Sequence, residues 1–160
     1  MRYFSKKIKS PVGKLTLVAN EQSLIAILWE NEKAGRVKLS PTEETKTHPV
    51  LMETENQLKE YFKGERTHFT LPLEFLGTDF QKKVWKNLQK IPYGKTYSYS
   101  DLAKKIGSPQ SSRAVGAANG KNPLSIVCPC HRVIGKSGKL VGFAGGLQNK
   151  IFLLGLEQGK

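Results

Sequence analysis

The sequence has few cysteines, no long apolar run and very few acidic residues in its second half. No stretch of about 18 consecutive apolar residues occurs, so we expect no membrane-spanning helix and no membrane partner. The first ten residues, MRYFSKKIKS, lack the apolar core of a secretory signal. The two cysteines, Cys128 and Cys130, are one residue apart and cannot form an ordinary disulfide framework. We therefore expect a cytoplasmic chain in a reducing compartment.

Positive charge is abundant but unevenly distributed along the 160 residues. Residues 1–77 carry 12 basic and 10 acidic side chains, whereas residues 78–160 carry 14 basic and 3 acidic ones. Such asymmetry favours a polyanion as the partner of the second half. A basic, solvated surface with no partner would have the same composition, so charge alone leaves both interpretations open.

Residues 1–77 predict a small sheet-and-helix domain. Three apolar segments within residues 1–30 are separated by turn sequences and are typical of strands joined by hairpins. Residues 31–48 are polar and predict a loop. Residues 49–63 have helical periodicity, with Gly64 as the stop signal. No residue in this half suggests chemistry.

The second half predicts short helices. Thr78 and Gln81 have the spacing of a capping box, which opens a helix that ends before Pro92. Ser98 and Asp101 repeat that spacing at the start of a second helix.

A third helix is predicted over residues 109–119, with Ser108 as its N-cap and Pro109 in its first position. Two short helices joined by a tight turn that contains glycine indicate a helix-turn-helix. Arg113 in the third helix is followed by small residues, including Gly116 and Ala117. Small residues allow close approach either to a nucleic-acid groove or to a neighbouring helix, and the pattern does not decide between the two.

The two cysteines suggest four interpretations. A zinc site usually needs four Cys or His ligands in paired spacings, and only Cys128, Cys130 and His131 cluster here. A redox pair normally has two intervening residues. Cys128 continues an apolar run and fits a buried core position. Cys130 follows a proline and precedes two polar residues, so it is the better candidate for a nucleophile. We expect no metal and no cofactor.

Four segments together carry a resemblance to a known family. They are PCHRV at 129–133, RAVGAANGKNP at 113–123, TYSYSDLA at 96–103 and GFAGGLQNKIFLLGLE at 142–157. In their order along the chain they resemble the O6-alkylguanine-DNA alkyltransferases, also called methylated-DNA–protein-cysteine methyltransferases. Residues 1–77 match that family only in general layout.

The resemblance implies an α+β fold in two domains. Residues 1–77 would form a ribonuclease H-like structural domain, and residues 78–160 a mostly helical, winged-helix-like domain that binds DNA and transfers the alkyl group. The implied partner is double-stranded DNA that carries O6-alkylguanine, contacted in the minor groove by a monomer. Activity on O4-alkylthymine and the preferred alkyl group stay open.

The resemblance also implies catalytic roles. Cys130 would accept the alkyl group irreversibly, so that each molecule acts once. Glu157 would orient His131, which would take the thiol proton through water. Tyr99 would protonate the departing guanine at N3, and Asn122 would tie the recognition helix to the Cys130 segment.

Further residues are implied in binding. Arg113 would fill the gap left by the extruded base, and Ser98 and Arg132 would contact DNA. Gly116 and Ala117 would permit close approach to the groove. Val133, Phe143, Ala144 and Gly145 would line the substrate pocket, although the family often has Tyr and Ser where this chain has Phe143 and Ala144. Cys128 stands where an aliphatic residue is expected.

Two other functions remain as alternatives. A non-catalytic DNA-binding module with the same fold would bind the lesion without becoming alkylated. A Cys–His hydrolase would turn over repeatedly on esters or amides without DNA, but the sequence offers it no oxyanion motif beyond glycines.

Overall fold

Three apolar segments near the amino terminus form a sheet in the computed structural model, which describes residues 2–138, 140 and 143–159. The strands β1 (Tyr3–Ile8), β2 (Leu15–Ala19) and β3 (Leu24–Leu28) pair antiparallel in chain order. Gly13 has a φ of 92°, which the turn between β1 and β2 requires and which most other residues avoid. The three predicted strands are therefore confirmed.

A fourth strand lies inside the segment that we predicted to be a loop. β4 (Thr42–Glu44) pairs parallel with β1, and the sheet order is β3-β2-β1-β4. All three side chains of β4 are exposed, so no alternation of apolar and polar residues distinguishes this strand from a loop. The loop prediction is wrong at these residues.

The first helix, α1 (Pro49–Phe62), packs on the sheet as predicted. His48 is its N-cap, because its Nδ1 accepts a hydrogen bond from the Val50 N–H at 3.2 Å. Leu58 and Tyr61 are fully buried on the face that points inward. This face brings the Tyr61 side chain into the interior between the two halves of the chain.

Helices dominate the carboxyl-terminal half. Capping boxes at Thr78–Gln81 and Ser98–Asp101 open the first two helices, as predicted. The elements are α2 (Asp79–Leu88), β5 (Tyr97–Ser98), α3 (Tyr99–Lys105), α4 (Ser112–Gly120), a 3-10 turn (Cys130–Arg132), β6 (Val133–Ile134), a second 3-10 turn (Lys136–Gly138) and α5 (Leu147–Glu157).

The helix α4 begins later than predicted. The Ser108 N–H donates to the Ala103 carbonyl, and the Ser111 N–H donates to the Ser108 carbonyl, both at 2.9 Å. Ser108 is therefore in a tight turn rather than at an N-cap, and Ser111 precedes the first helical residue. The helices α3 and α4 still pack against each other across this turn, which confirms a helix-turn-helix arrangement.

The two halves share one hydrophobic core. The edge strand β3 meets the second half, where the Ile27 N–H donates to the Pro123 carbonyl at 2.8 Å. The Trp85 indole is buried and donates to the Ala118 carbonyl at 2.8 Å, which joins α2 to α4. The segment that contains Cys130 is thereby packed against both halves. Across the described residues, no helix is both long and apolar enough to cross a membrane.

Candidate active site

Cys130 lies at a cavity of about 410 Å³ between the two halves of the chain. One wall is the segment 33–36 of the amino-terminal half, and another is the helix α4. Of the predicted site residues, the cavity is lined by Cys130, Tyr99, Gly116, Ala117, Phe143 and Ala144. Residues that are far apart in sequence are thus brought together around one thiol.

The Cys130 thiol is 3% exposed, and burial raises its pKa. The Asn122 side chain and the positive charges of Arg36 and Lys150 act in the opposite direction but do not outweigh burial. The resting sulfur is therefore a protonated thiol at neutral pH, and its ionisation requires a base. Cationic neighbours favour a thiolate in general, but here burial prevails over them.

A base stands next to this thiol in sequence and is oriented by a carboxylate. His131 Nε2 lies 2.7 Å from Glu157 Oε2, and neither side chain is more than 1% exposed. Burial lowers the pKa of His131 against the opposing effect of Glu157, so the imidazole is neutral at pH 7. A neutral ring that donates from Nε2 keeps a lone pair on Nδ1. That Nδ1 is buried and has no hydrogen-bond partner among the described residues.

Glu157 stays ionised although it is buried. Burial alone would raise the pKa of this carboxyl, but hydrogen bonds from His131 and Arg132 prevail and lower it to about 2. The negative charge is therefore present throughout the physiological pH range, and the predicted pairing of His131 with Glu157 is present in the structure.

Arg132, for which we predicted a DNA contact, is buried beside Glu157. Its Nε donates to Glu157 Oε1 at 2.8 Å, its second terminal nitrogen donates to Oε2 at 3.0 Å, and its first donates to the Ile91 carbonyl at 2.7 Å. The residue is 6% exposed. Its guanidinium is thus occupied by internal hydrogen bonds, and the DNA contact stays a prediction.

Tyr61 is a site residue that the sequence did not reveal. Its hydroxyl donates to Glu157 Oε2 at 2.6 Å, across 96 positions of the sequence. Burial and the charge of Glu157 raise the pKa of Tyr61, so this hydroxyl keeps its proton. No local pattern marks the contact, because Tyr61 belongs to an ordinary apolar helix face.

The Cys130 segment is held in a tight turn by Asn122. The Asn122 side-chain nitrogen donates to the Cys128 carbonyl at 2.8 Å, and its oxygen accepts from the Leu124 N–H at 3.0 Å. Ile126, inside this turn, has a φ of 74°, which is strained for a β-branched residue. The predicted link between α4 and the Cys130 segment is therefore present.

Cys128 is a core residue. It is fully buried, burial raises its pKa well above the ordinary value, and its thiol donates to the Trp85 carbonyl at 3.3 Å. This environment fits the predicted buried position and leaves the sulfur inert.

Two residues that we predicted to line the pocket have other roles. Val133 is fully buried in β6, and its carbonyl accepts a hydrogen bond from the Lys150 ammonium at 2.7 Å. Gly145 packs so closely on the Trp29 indole that an added Cβ would lie 2.5 Å from the ring. Gly145 thus sets the path of the loop that carries Phe143 and Ala144, without itself lining the cavity.

We did not predict a role for Lys150, although its spacing from Glu157 on α5 places both residues on the same helix face. It lies on the same face of α5 as Leu153 and Glu157, at positions i, i+3 and i+7. Burial lowers the pKa of this ammonium, while the nearby Cys130 sulfur raises it. Lys150 therefore places positive charge near the Cys130 thiol.

The predicted DNA-binding residues of α4 lie on one exposed face. Arg113 and Ala117 are exposed, and Gly116 is partly exposed beside the Tyr99 ring. Ser98 accepts from the Asp101 N–H at 3.0 Å as the cap of α3. The small residues of α4 thus open toward solvent at the cavity, so close packing between helices does not account for all of them.

Arg36 joins the first half of the chain to the end of α4. Its terminal nitrogen donates to the carbonyls of Gly120 and Asn122 at 3.1 and 2.9 Å, and its Nε pairs with Glu32 at 2.6 Å. Cations at a helix carboxyl terminus stabilise the helix dipole. Within the described residues, no group of three His, Cys, Asp or Glu side chains could hold a metal ion.

Comparisons with known proteins indicate the same family for both halves of the chain. The family model described as "6-O-methylguanine DNA methyltransferase, DNA binding domain" matches residues 79–159, and "6-O-methylguanine DNA methyltransferase, ribonuclease-like domain" matches residues 3–75. The methylated-DNA–protein-cysteine methyltransferase of Mycobacterium tuberculosis is 45% identical over 157 residues, which is 97% of this chain and 92% of that protein.

Other relatives extend this likeness. The protein of the same name from Methanosarcina barkeri is 46% identical over 151 residues, covering 94% of each chain. The crystal structure of M. tuberculosis OGT in complex with DNA has a TM-score of 0.87 and 44% identity, covering 99% of this chain and 94% of that chain.

Proposed function

The chain belongs to the 6-O-methylguanine DNA methyltransferase family, and we propose that it repairs DNA by transferring the alkyl group of O6-alkylguanine irreversibly to Cys130. The observation that carries this assignment is a buried thiol at a cavity of about 410 Å³, beside a neutral histidine with a free Nδ1 lone pair. A cavity of this volume falls within the range of about 300–1,000 Å³ that small-molecule sites occupy.

The transfer is a displacement at carbon. The Cys130 sulfur attacks the alkyl carbon, a carbon–sulfur bond forms, and the bond between that carbon and guanine O6 breaks. His131 Nδ1 takes the thiol proton through water, while Nε2 continues to donate to Glu157. The thioether product cannot be reversed by the groups around it, so each molecule acts once and needs no cofactor.

Tyr99 supplies a proton to the leaving guanine at N3. Burial raises its pKa, and the Cys130 sulfur raises it further once that sulfur has become a thiolate. That second contribution disappears as sulfur bonds to carbon, so Tyr99 becomes a better acid as the leaving group develops negative charge. Tyr99 therefore releases its proton most readily at the stage when the departing guanine needs it.

The surface around α4 binds duplex DNA from the minor groove. The exposed Gly116 and Ala117 allow the backbone to approach the groove, and Arg113 fills the gap after the base is extruded into the cavity. The strongly basic second half contacts phosphates, so binding is salt-dependent and only weakly sequence-specific. Phe143 and Ala144 close over the base from the other side.

The two halves of the chain have different roles. Residues 78–160 carry the DNA-binding and transfer chemistry, while residues 1–77 form the structural domain that supports them. The protein acts as a monomer in the cytoplasm, where a reducing environment keeps Cys130 available as a thiol.

Intact-mass measurement after incubation with an excess of duplex DNA that contains O6-methylguanine tests this function. We expect a mass gain of one methylene unit per chain and no second addition at longer times. Tight binding with an unchanged mass would instead indicate a non-catalytic DNA-binding module. Repeated turnover of an ester without DNA would indicate a Cys–His hydrolase.

A further inference from the structure

The amino-terminal half contributes a hydroxyl to the charged network behind the reactive thiol. Tyr61, from α1, is fully buried and donates to Glu157 Oε2 at 2.6 Å. Glu157 is the residue whose other contacts orient His131. The carboxylate that sets the state of the base is therefore held from both halves of the chain.

Five hydrogen bonds converge on this carboxylate. Oε2 accepts from the Tyr61 hydroxyl, from His131 Nε2 and from the Arg132 guanidinium, at 2.6, 2.7 and 3.0 Å. Oε1 accepts from Arg132 Nε at 2.8 Å and from the Gly94 N–H at 3.4 Å. A carboxylate has about four lone-pair positions, so this one is saturated. Glu157 is thus a weak base that holds the His131 Nε2 proton without taking it.

The charged and titratable groups around His131 come from four elements. Glu157 and Lys150 lie on α5, Arg132 on the 3-10 turn, and Tyr61 on α1. The ring of Tyr93, in the turn after α2, lies 5.7 Å from the Arg132 guanidinium carbon. Glu157 stabilises an imidazolium, whereas Arg132 and Lys150 oppose it. Burial has the largest effect on the pKa of His131, and the basicity of Glu157 sets how far the ring is drawn back toward the charged form.

We propose that Tyr61 is a positioning residue for alkyl transfer, because its hydrogen bond to Glu157 limits the basicity of that carboxylate and keeps His131 neutral. This inference rests on the proposed function for its link to repair. It means that the amino-terminal half takes part in activating the sulfur, in addition to packing against the second half.

Two readouts on the variant Tyr61→Phe test the proposal. NMR titration of the His131 ring nitrogens should show a higher pKa than in the wild type, because Glu157 then accepts four hydrogen bonds instead of five and, as a stronger base, favours the imidazolium. In single-turnover transfer, the acid limb of the rate profile should move to higher pH. The ratio of wild-type to variant rates should then grow as pH falls from about 8 to about 5, the range in which histidine titrates.

Two control variants separate positioning from stability. Leu58→Val disturbs the same helix one turn earlier without touching Glu157, and Tyr3→Phe removes a hydroxyl next to a separate apolar cluster on the sheet. Both should leave the His131 titration and the acid limb in place, even where Leu58→Val lowers the active fraction.

An unchanged His131 titration in Tyr61→Phe would overturn the proposal, as would a rate that falls equally at every pH. Failure of the wild-type chain to become methylated would contradict the proposed function instead. The NMR titration still reports on Tyr61 in that case, so the two failures are distinguishable.

Discussion

Replacement of Glu157 by Gln should destabilise the protein in a pH-dependent way. The carboxyl has an ordinary pKa of 4.5, and its hydrogen bonds lower that pKa to about 2 in the folded protein despite burial. A lowered folded pKa stabilises the fold above the unfolded pKa, and this stabilisation is lost as pH falls toward the folded value. The difference corresponds to about 3 kcal/mol of unfolding free energy at pH 7.

The same linkage gives about 1 kcal/mol at about pH 3, where the unfolded carboxyl is already protonated. The independent figure for breaking a buried ion pair, about 3–5 kcal/mol, agrees with the value at neutral pH. In the variant, an amide nitrogen replaces one of the two carboxylate oxygens. Because an amide nitrogen donates and does not accept, donors such as the Arg132 guanidinium lose an acceptor.

Urea unfolding of both proteins at neutral pH and at about pH 3 measures this effect. The stability gap between wild type and Glu157→Gln should be about 3 kcal/mol at pH 7 and should shrink by about 2 kcal/mol at the lower pH. Glu43→Gln is the matched control, because Glu43 pairs with Arg2 at the surface, where 61% of its side chain is exposed. A gap of equal size at both pH values would refute the account of Glu157.

Two further substitutions test the DNA surface and the Cys130 turn. Arg113→Ala should slow repair of duplex DNA more than repair of the free O6-methylguanine base, and should reduce the salt dependence of DNA binding by about one counterion. Arg66→Ala, in the amino-terminal half, is the control. Equal slowing on both substrates would contradict the role of Arg113 in base extrusion. Asn122→Ala removes two buried hydrogen bonds and should cost about 2–3 kcal/mol of unfolding free energy. Asn122→Ala should also slow iodoacetamide labelling of Cys130, because the Asn122 side chain lowers the thiol pKa. Asn87→Ala is the control and should leave labelling unchanged, since the Asn87 side chain donates to the Lys83 carbonyl within α2.

Local signals in the sequence predicted much of the fold. The two capping boxes form within four residues, so Thr78 and Ser98 mark helix starts independently of the rest of the chain. The start of α4 could not be located in the same way, because a main-chain turn at Ser108 competes with the capping role. The strand β4 has three exposed side chains and forms through pairing with β1, which sequence patterns do not show.

The family resemblance implied most of the site residues, and the contacts that it did not imply could not be predicted from the sequence. The resemblance implied the roles of Asn122 and His131, and it implied the pairing of His131 with Glu157 across 26 positions. For Arg132 the resemblance implied a DNA contact, whereas in the structure its guanidinium pairs with Glu157, 25 positions away. Tyr61 lies 96 positions from Glu157, and only the shared core of the two halves brings their side chains together.

The central claim is that the Cys130 sulfur itself captures the alkyl carbon. Peptide mapping by mass spectrometry, after reaction with duplex DNA that contains O6-methylguanine, tests it most directly, with Cys130→Ser as the matched variant. We predict methylation on the peptide that contains Cys130, at that residue and not at Cys128, and no methylation of the variant, which should still bind DNA. Methyl groups on Cys128, or a methylated Cys130→Ser chain, would contradict the account.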